Sequence, residues 1–311
     1  MKYLFLLLAC FPFVTLSAQD AKTYFQKSIE LSEKDKHQDA LIEINKAVRQ
    51  DSTNTSYLNQ KAYVLSKLKR YQESFDLYTK SLALDPQNKL TYNGRGLMLY
   101  TIQEFDAAIA DFTKGLSISK NDSDRHVFLV NRAAAFTYKR EFDKAYSDLT
   151  TIYKTDSSDI GMLINLAAIS DEVGRGNETL IYLQRVIKLD PNNVPAYGNM
   201  GFKYQEMGDY KTAIKYFDKV LEMEPNDPLG YSNRSFNKLK LNDAKGAMED
   251  IEKSIQLYPA NSYAYRIRAL IFIHEKKTDK ACQDLDKAIE LGFTGMYGDE
   301  VEKLKAKHCS K

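Results

Sequence analysis

Small side chains return every 34 residues along this chain: Ala62, Gly96, Ala133, Ala167, Gly201, Ser235 and Ala269. The one exception is the step of 37 from Gly96 to Ala133. A second ladder runs beside it through Ala40, Ser74, Ala108, Ala145, Thr179, Ala213, Ala247 and Ala281. A fixed period of this length means stacked supersecondary units, none of which buries its apolar face alone. A length of 311 residues would otherwise suggest two ordinary domains. The repeat replaces that expectation with one extended array.

Proline sets the register. Asp85-Pro86, Asp190-Pro191, Glu224-Pro225 and, in a variant form, Tyr258-Pro259 each close a unit, because proline cannot continue a helix. The units run 21–54, 55–88, 89–122, 126–159, 160–193, 194–227, 228–261 and 262–295. Ser123-Asp124-Arg125 is a polar insertion, expected in a loop at small entropic cost. Each unit carries two apolar stripes at helical spacing. In the sixth these are Tyr197, Met200, Gly201 and Tyr204, then Tyr210, Ala213, Ile214, Phe217, Val220 and Leu221. Met207-Gly208-Asp209 breaks between them, with Asp209 placed to cap the second helix. Small residues at places 8 and 20 let the two helices approach. Large ones at places 4, 11 and 24, such as Leu58, Leu65 and Tyr78, fill the space beside them.

This pattern, with proline at place 32 and aromatics near places 4, 11, 17 and 24, resembles the tetratricopeptide repeat over residues 21–295. Departures are local. Gly176, Ala244 and His37 stand at place 17, where Tyr71, Phe105, Phe142 and Tyr210 stand elsewhere, and Ser52, Lys120 and Ser157 replace the proline. The resemblance implies an all-α, right-handed α-solenoid of eight helix-turn-helix repeats. Residues 296–311 are expected to form a C-terminal capping helix, its charged run starting at Asp299, that seals the open end.

The first 18 residues stand apart: Met1-Lys2, an apolar run from Tyr3 to Leu16, then Ser17-Ala18. That is the pattern of a secretory signal peptide cut after Ala18, which places the mature chain in the periplasm or outside the cell. The run is too short to span a bilayer comfortably and contains Pro12. The second reading is a lipid anchor at Cys10, since Leu7-Leu8-Ala9-Cys10 resembles a lipobox. Removing the leader leaves Cys282 and Cys309. Cys282 lies eight residues before Glu290 and Cys309 ten after Asp299, so on antiparallel helices their heights differ by only about 3 Å. A disulfide is within reach; the alternative is a small core residue and a free tail thiol.

Chemistry is sparse. His37, His126, His274 and His308 fall in different segments without metal-ligand spacing, and no phosphate loop or nucleophile elbow occurs. Asn93-Gly94-Arg95-Gly96 is glycine-rich but lies inside a helix, where it serves close packing. Carboxylate neighbours such as Asp171-Glu172 lack a pocket to part their pKa values. The expectation is a non-enzyme without cofactor or metal. A net charge of +2 argues against nucleic acid.

One ladder does not belong to the core. Asn131, Asn165, Asn199 and Asn233 share place 6; Asn59 and Asn93 stand one place earlier. In the family the first helix of each pair lines the inner face through places 2, 5, 6, 9, 12 and 13. Those four place-6 residues resemble the asparagine ladder in the superhelix of O-linked N-acetylglucosamine transferase. Each amide there offers two donors and an acceptor to an extended peptide backbone. The other reading is that the amides bond neighbouring helices. Tyr63, Tyr100, Tyr138 and Phe202, with Asp171, Glu172, Gln205 and Glu206 in the middle, are the inward candidates for side-chain selectivity. The acids hint at a basic or polar segment. The expected function is an adaptor holding a protein or extended peptide. The alternative is an envelope assembly factor working through its convex face or by self-association.

Overall fold

The computed structural model describes residues 18–309, and the signal-peptide and lipobox readings rest on residues outside that range but for Ala18. Two compact units divide the chain, the first ending at Ile152 and the second starting at Tyr153. The first holds α1 (Ala18–Glu33), α2 (His37–Gln50), α3 (Thr55–Lys67), α4 (Tyr71–Leu84), α5 (Lys89–Thr101), α6 (Phe105–Ile118) and α7 (Asp122–Tyr138), closing in α8 (Phe142–Tyr153). The second holds α9 (Ile160–Ser170), α10 (Gly176–Leu189), α11 (Val194–Glu206), α12 (Tyr210–Met223), α13 (Pro228–Lys240), α14 (Ala244–Leu257), α15 (Ser262–His274), α16 (Thr278–Glu290), α17 (Phe293–Tyr297) and α18 (Glu300–Cys309). No strand occurs among the described residues. The fold class is all-α, an α-solenoid of helix-turn-helix repeats.

In the first unit, successive helices from α1 to α7 pack on one another, and the first helices α1, α3, α5 and α7 also touch in sequence. In the second, successive packing runs from α9 to α16, and α18 lies against α16. The small-residue ladder sits where helices meet. Ala62, Ala133, Ala213, Ala247, Ala269 and Ala281 are all at 0–1% exposure. A Cβ on Gly96 would come within 2.5 Å of the Phe112 ring, and one on Gly201 within 2.8 Å of Phe217.

The turn inside every repeat uses one device. Place 15 is left-handed throughout: Asp35, Lys69, Gln103, Arg140, Gly174, Gly208, Asn242 and Lys276 all have φ between 56° and 78°. The next N–H then reaches back five residues, as Arg70 does to the Leu65 carbonyl at 2.9 Å and Asp209 to Tyr204 at 2.9 Å. The pattern satisfies carbonyls that the helix end leaves open. Only two of these eight places carry glycine.

First helices are capped by the last residue of the preceding unit. Asn54, Asn88, Asp159, Asn193, Asp227 and Asn261 each accept from N–H groups in the first turn. Two second helices have side-chain caps as well, from Asp209 to Thr212 at 3.0 Å and from Asp243 to Gly246 at 2.9 Å.

Charge pairs join the two helices of most repeats at places 7 and 23. Arg95 grips Asp111, and Arg132 grips Asp148, each through two nitrogens at 2.7–2.8 Å. Arg234 with Asp250 and Arg268 with Asp284 do the same at 2.6–2.8 Å, while Lys27 meets Glu43 at 3.0 Å. The four aspartates are buried, at 5–7% exposure. In the fifth and sixth units the same places hold Leu166 with Tyr182 and Met200 with Tyr216, so an apolar pair replaces the ionic one. The second repeat mixes the two kinds, with Lys61 and Leu77 at these places, and burial pulls the Lys61 ammonium below its ordinary pKa.

Two placements differ from the sequence reading. The insertion 123–125 lies within α7, because Asn121 caps that helix and Asp122 and Asp124 suit its positive end. Three residues are close to one helical turn, so the downstream face is preserved. The first helix begins at Ala18, three residues ahead of the first repeat. At the other end, α17 straddles the boundary placed at 295/296, after a turn at Gly292 with φ 82°. Phe293 seats in the core beside Leu285 and Val301, and this anchors the cap.

Candidate binding surface

Residues expected to face inward come together in two places, one in each compact unit. In the second unit Asp171, Asn199, Phe202 and Glu206 line a pocket of about 150 Å³ between α9, α10 and α11. Lys203, at place 10, also lines it, and its significance is not visible in the repeat pattern. Its ammonium bonds Asp171 and lies 3.3 Å from Glu206. Burial works to lower the Lys203 pKa, and the two carboxylates more than reverse it. The acids expected to favour a basic partner are therefore largely answered from within. Gly176 makes room: a Cβ there would sit 2.4 Å from the Asp171 carboxylate and 3.0 Å from Lys203 Nζ.

In the first unit Tyr63 and Tyr100 line a pocket of about 290 Å³. Tyr138 is 66% exposed, stacks on Phe105 at 5.4 Å and meets Tyr100 edge-on at 5.4 Å. Burial pushes the Tyr100 phenol up to about 12, with a hydrogen bond to Tyr138 adding to the effect.

The asparagines do not form a uniform row. Asn59 bonds Thr91 of the next first helix at 2.8 Å, and Asn131 donates to Asn93 at 2.9 Å. Asn165 and Asn199 are exposed, whereas Asn233 is buried at 7% exposure. The bridge between α11 and α13 instead uses Asn237, which donates to Gln205 at 2.7 Å and to the Asn233 carbonyl at 2.8 Å. Neighbour-to-neighbour amide bonds thus occur at places 5, 6, 10 and 12. Glu172 is exposed and lines neither pocket. Cys282 and Cys309 are joined, with Cα atoms 5.8 Å apart, tying α18 to α16.

Among the described residues no group of three or more His, Cys, Asp or Glu is placed to hold a metal, and no helix is long and apolar enough to cross a membrane. The tetratricopeptide repeat profile matches residues 55–88 and 194–227, two of the eight units delimited above. The chain is a tetratricopeptide repeat protein. No curated protein matches it as a relative. Solved structures share the fold of this repeat protein at low identity. The C-terminal part of a TPR repeat-containing protein from Cytophaga hutchinsonii is 19% identical, with TM-score 0.63, over 76% of this chain and 96% of that one. A tetratricopeptide repeat protein from Parabacteroides merdae is 19% identical, with TM-score 0.55, over 93% and 99%. The anaphase-promoting-complex hetero-tetramer Cut9–Hcn1 gives a chain 17% identical, with TM-score 0.52, over 86% of this chain and 52% of that one.

Proposed function

We propose that this protein is a non-enzymatic adaptor that holds a protein or extended peptide on the inner face of its first helices. Arrays of this kind generally work by holding other proteins. The observation that carries the reading is the exposure of large side chains at inner places. Tyr63, Phe202 and Tyr138 are 39%, 41% and 66% exposed, while Leu58, Leu65, Tyr78 and Phe112 at core places are buried. Asn199 stands exposed beside Phe202, with amide donors and acceptor free for a peptide backbone. The leader and the tail disulfide support an exported chain, periplasmic or secreted.

Site-specific photo-crosslinking tests the reading. Crosslinker at Asn199 and Phe202 should capture the same partner in the native envelope fraction, and crosslinker at exposed Lys215 on α12 should not. Capture from Lys215 alone would overturn the inner-face reading and favour an assembly factor using its second helices. Sequencing the mature N-terminus tests export: Gln19 is expected, and a lipid-modified Cys10 would refute the soluble form.

A further inference from the structure

The pocket in the first unit owes its existence to one departure from the repeat. Place 6 is asparagine in four units, but in the third it is Gly94. A Cβ at Gly94 would lie 2.8 Å from the Tyr78 hydroxyl and 2.9 Å from its ring. The missing side chain therefore opens the space in front of Tyr78, between α3, α4 and α5. Tyr63, Tyr71, Leu97 and Met98 complete an apolar wall.

Two polar groups in this space point to a ligand. Tyr78 is only 2% exposed, and no hydrogen bond joins its hydroxyl to another described residue. Tyr78 lines the pocket, so its hydroxyl is a donor available to whatever fills the space. Burial holds the phenol well above its ordinary pKa, so the group is a donor at any physiological pH. Ser66 and Thr101, which also line the space, donate to the Tyr63 carbonyl at 2.7 Å and the Leu97 carbonyl at 2.8 Å and make no bond to Tyr78. Lys67 is the only charged residue in the lining, its ammonium 5.4 Å from the Tyr63 ring centre. No acid lines the pocket to answer it.

We propose that this pocket seats an aromatic side chain of the bound segment, with Tyr78 donating to a carbonyl of that residue and Lys67 pairing with an adjoining carboxylate. The volume suits one large side chain, and the wall of tyrosines and Met98 suits an aromatic ring. The lone cation selects an acidic neighbour. This rests on the inner face being the binding face, and it names the chemistry that face prefers. The pocket would be the anchor of recognition, since buried aromatic anchors dominate peptide affinity.

The test uses the full mature chain with labelled methionine methyls. Met98 lines the pocket and reports binding, while Met162 and Met200 in the second unit are internal controls. N-acetyl-phenylalaninate should shift Met98 saturably and leave the controls still. N-acetyl-alaninate should bind roughly ten- to a hundredfold more weakly. N-acetyl-phenylalaninamide should lose roughly two- to fivefold, a difference that Lys67→Gln abolishes. Tyr78→Phe should cost roughly three- to tenfold, and Gly94→Asn should eliminate the shift. If Gly94→Asn fails to fold, Tyr78→Phe still decides, because it removes a single oxygen. An unmoved Met98, or a Tyr78→Phe variant that binds as tightly as the parent, overturns the proposal. Capture of a partner from Asn199 alongside an unmoved Met98 would overturn the pocket alone and leave the adaptor reading standing.

Discussion

One substitution, glycine to alanine, should change sign with its place in the repeat. In the interior of a helix it stabilises by roughly 0.8–1.0 kcal/mol, because alanine loses less backbone freedom. Gly198 lies inside α11 and a Cβ there meets nothing within 4 Å. Gly198→Ala should therefore stabilise by nearly that full amount. Gly96 lies inside α5 with the same backbone, but its Cβ would be 2.5, 2.9 and 3.0 Å from three atoms of Phe112, itself at 0% exposure. Gly115 in α6 is tighter still, with Phe128 ring atoms at 2.1, 2.3 and 2.7 Å. Ordinary carbon contacts lie near 3.5–4.0 Å. A buried ring must move by more than a bond's slack in either case, and overpacking of this kind costs about 1–3 kcal/mol.

Subtracting the helix gain leaves Gly96→Ala destabilised by about 0–2 kcal/mol, and Gly115→Ala at the upper end of that range. The expected order is Gly198→Ala above the parent, then Gly96→Ala, then Gly115→Ala. Urea unfolding followed by circular dichroism, with the disulfide kept oxidised, measures it through the midpoints. Unchanged slopes confirm that stability and not cooperativity has moved, a check that repeat arrays require. If Gly115→Ala proved as stable as Gly198→Ala, close approach between α6 and α7 could not be what their small residue is for, and the packing argument would fail.

Other outcomes follow from the polar contacts. Arg95→Leu should cost about 2–4 kcal/mol by stranding the buried Asp111 carboxylate, and adding Asp111→Leu should recover most of it, read as a double-mutant cycle in urea. Lys69→Gly should stabilise by about 0.5–1 kcal/mol, since it relieves a left-handed φ of 60° on a residue with a Cβ, and an unchanged or lower midpoint would contradict this. Asp209 is held below its ordinary pKa by hydrogen bonds from the Thr212 hydroxyl and N–H. A depressed carboxylate gives its full stabilisation above the ordinary aspartate value and loses it as pH falls through the folded one, so Asp209→Asn should keep the cap and flatten that part of the acid unfolding profile. Cys309→Ser should lower stability by roughly 3–4 kcal/mol, since the bridge closes a loop of 27 residues in sequence separation, and a reductant should reproduce the loss in the parent alone.

The period made the fold legible, because the residues that repeat are those that face other helices. Ala133 or Phe112 is dictated by its neighbours in every unit, and so the pattern recurs. The caps were legible in principle: Asn54, Asn88, Asn193 and Asn261 repeat as strictly as the alanines, but asparagine at a unit boundary reads as turn composition until the helix start is fixed. The place 7 and 23 pairs hide for a different reason. They are 16 residues apart in sequence, and in the fifth and sixth repeats Leu166, Tyr182, Met200 and Tyr216 stand where the charges stand elsewhere. The insertion at 123–125 looked like a loop because it is polar. Its acids and the cap at Asn121 instead lengthen a helix by about a turn, which leaves the downstream register intact.

The binding face obeys the opposite logic. A residue that recurs at every repeat is explained by packing against the next repeat, and the asparagines at places 5 and 6 show it: Asn59, Asn93 and Asn131 spend their amides on neighbours. Recognition needs groups that packing has not consumed, and those appear where the pattern breaks. Gly94 interrupts the asparagine ladder and uncovers the Tyr78 hydroxyl; Gly176 interrupts the aromatic series at place 17 and admits the Lys203–Asp171 pair. Both breaks cost something, since glycine inside or at the start of a helix is unfavourable. On the proposed reading Gly94 marks a place where a partner's side chain completes the surface, whereas the room at Gly176 is taken by the protein's own Asp171 and Lys203.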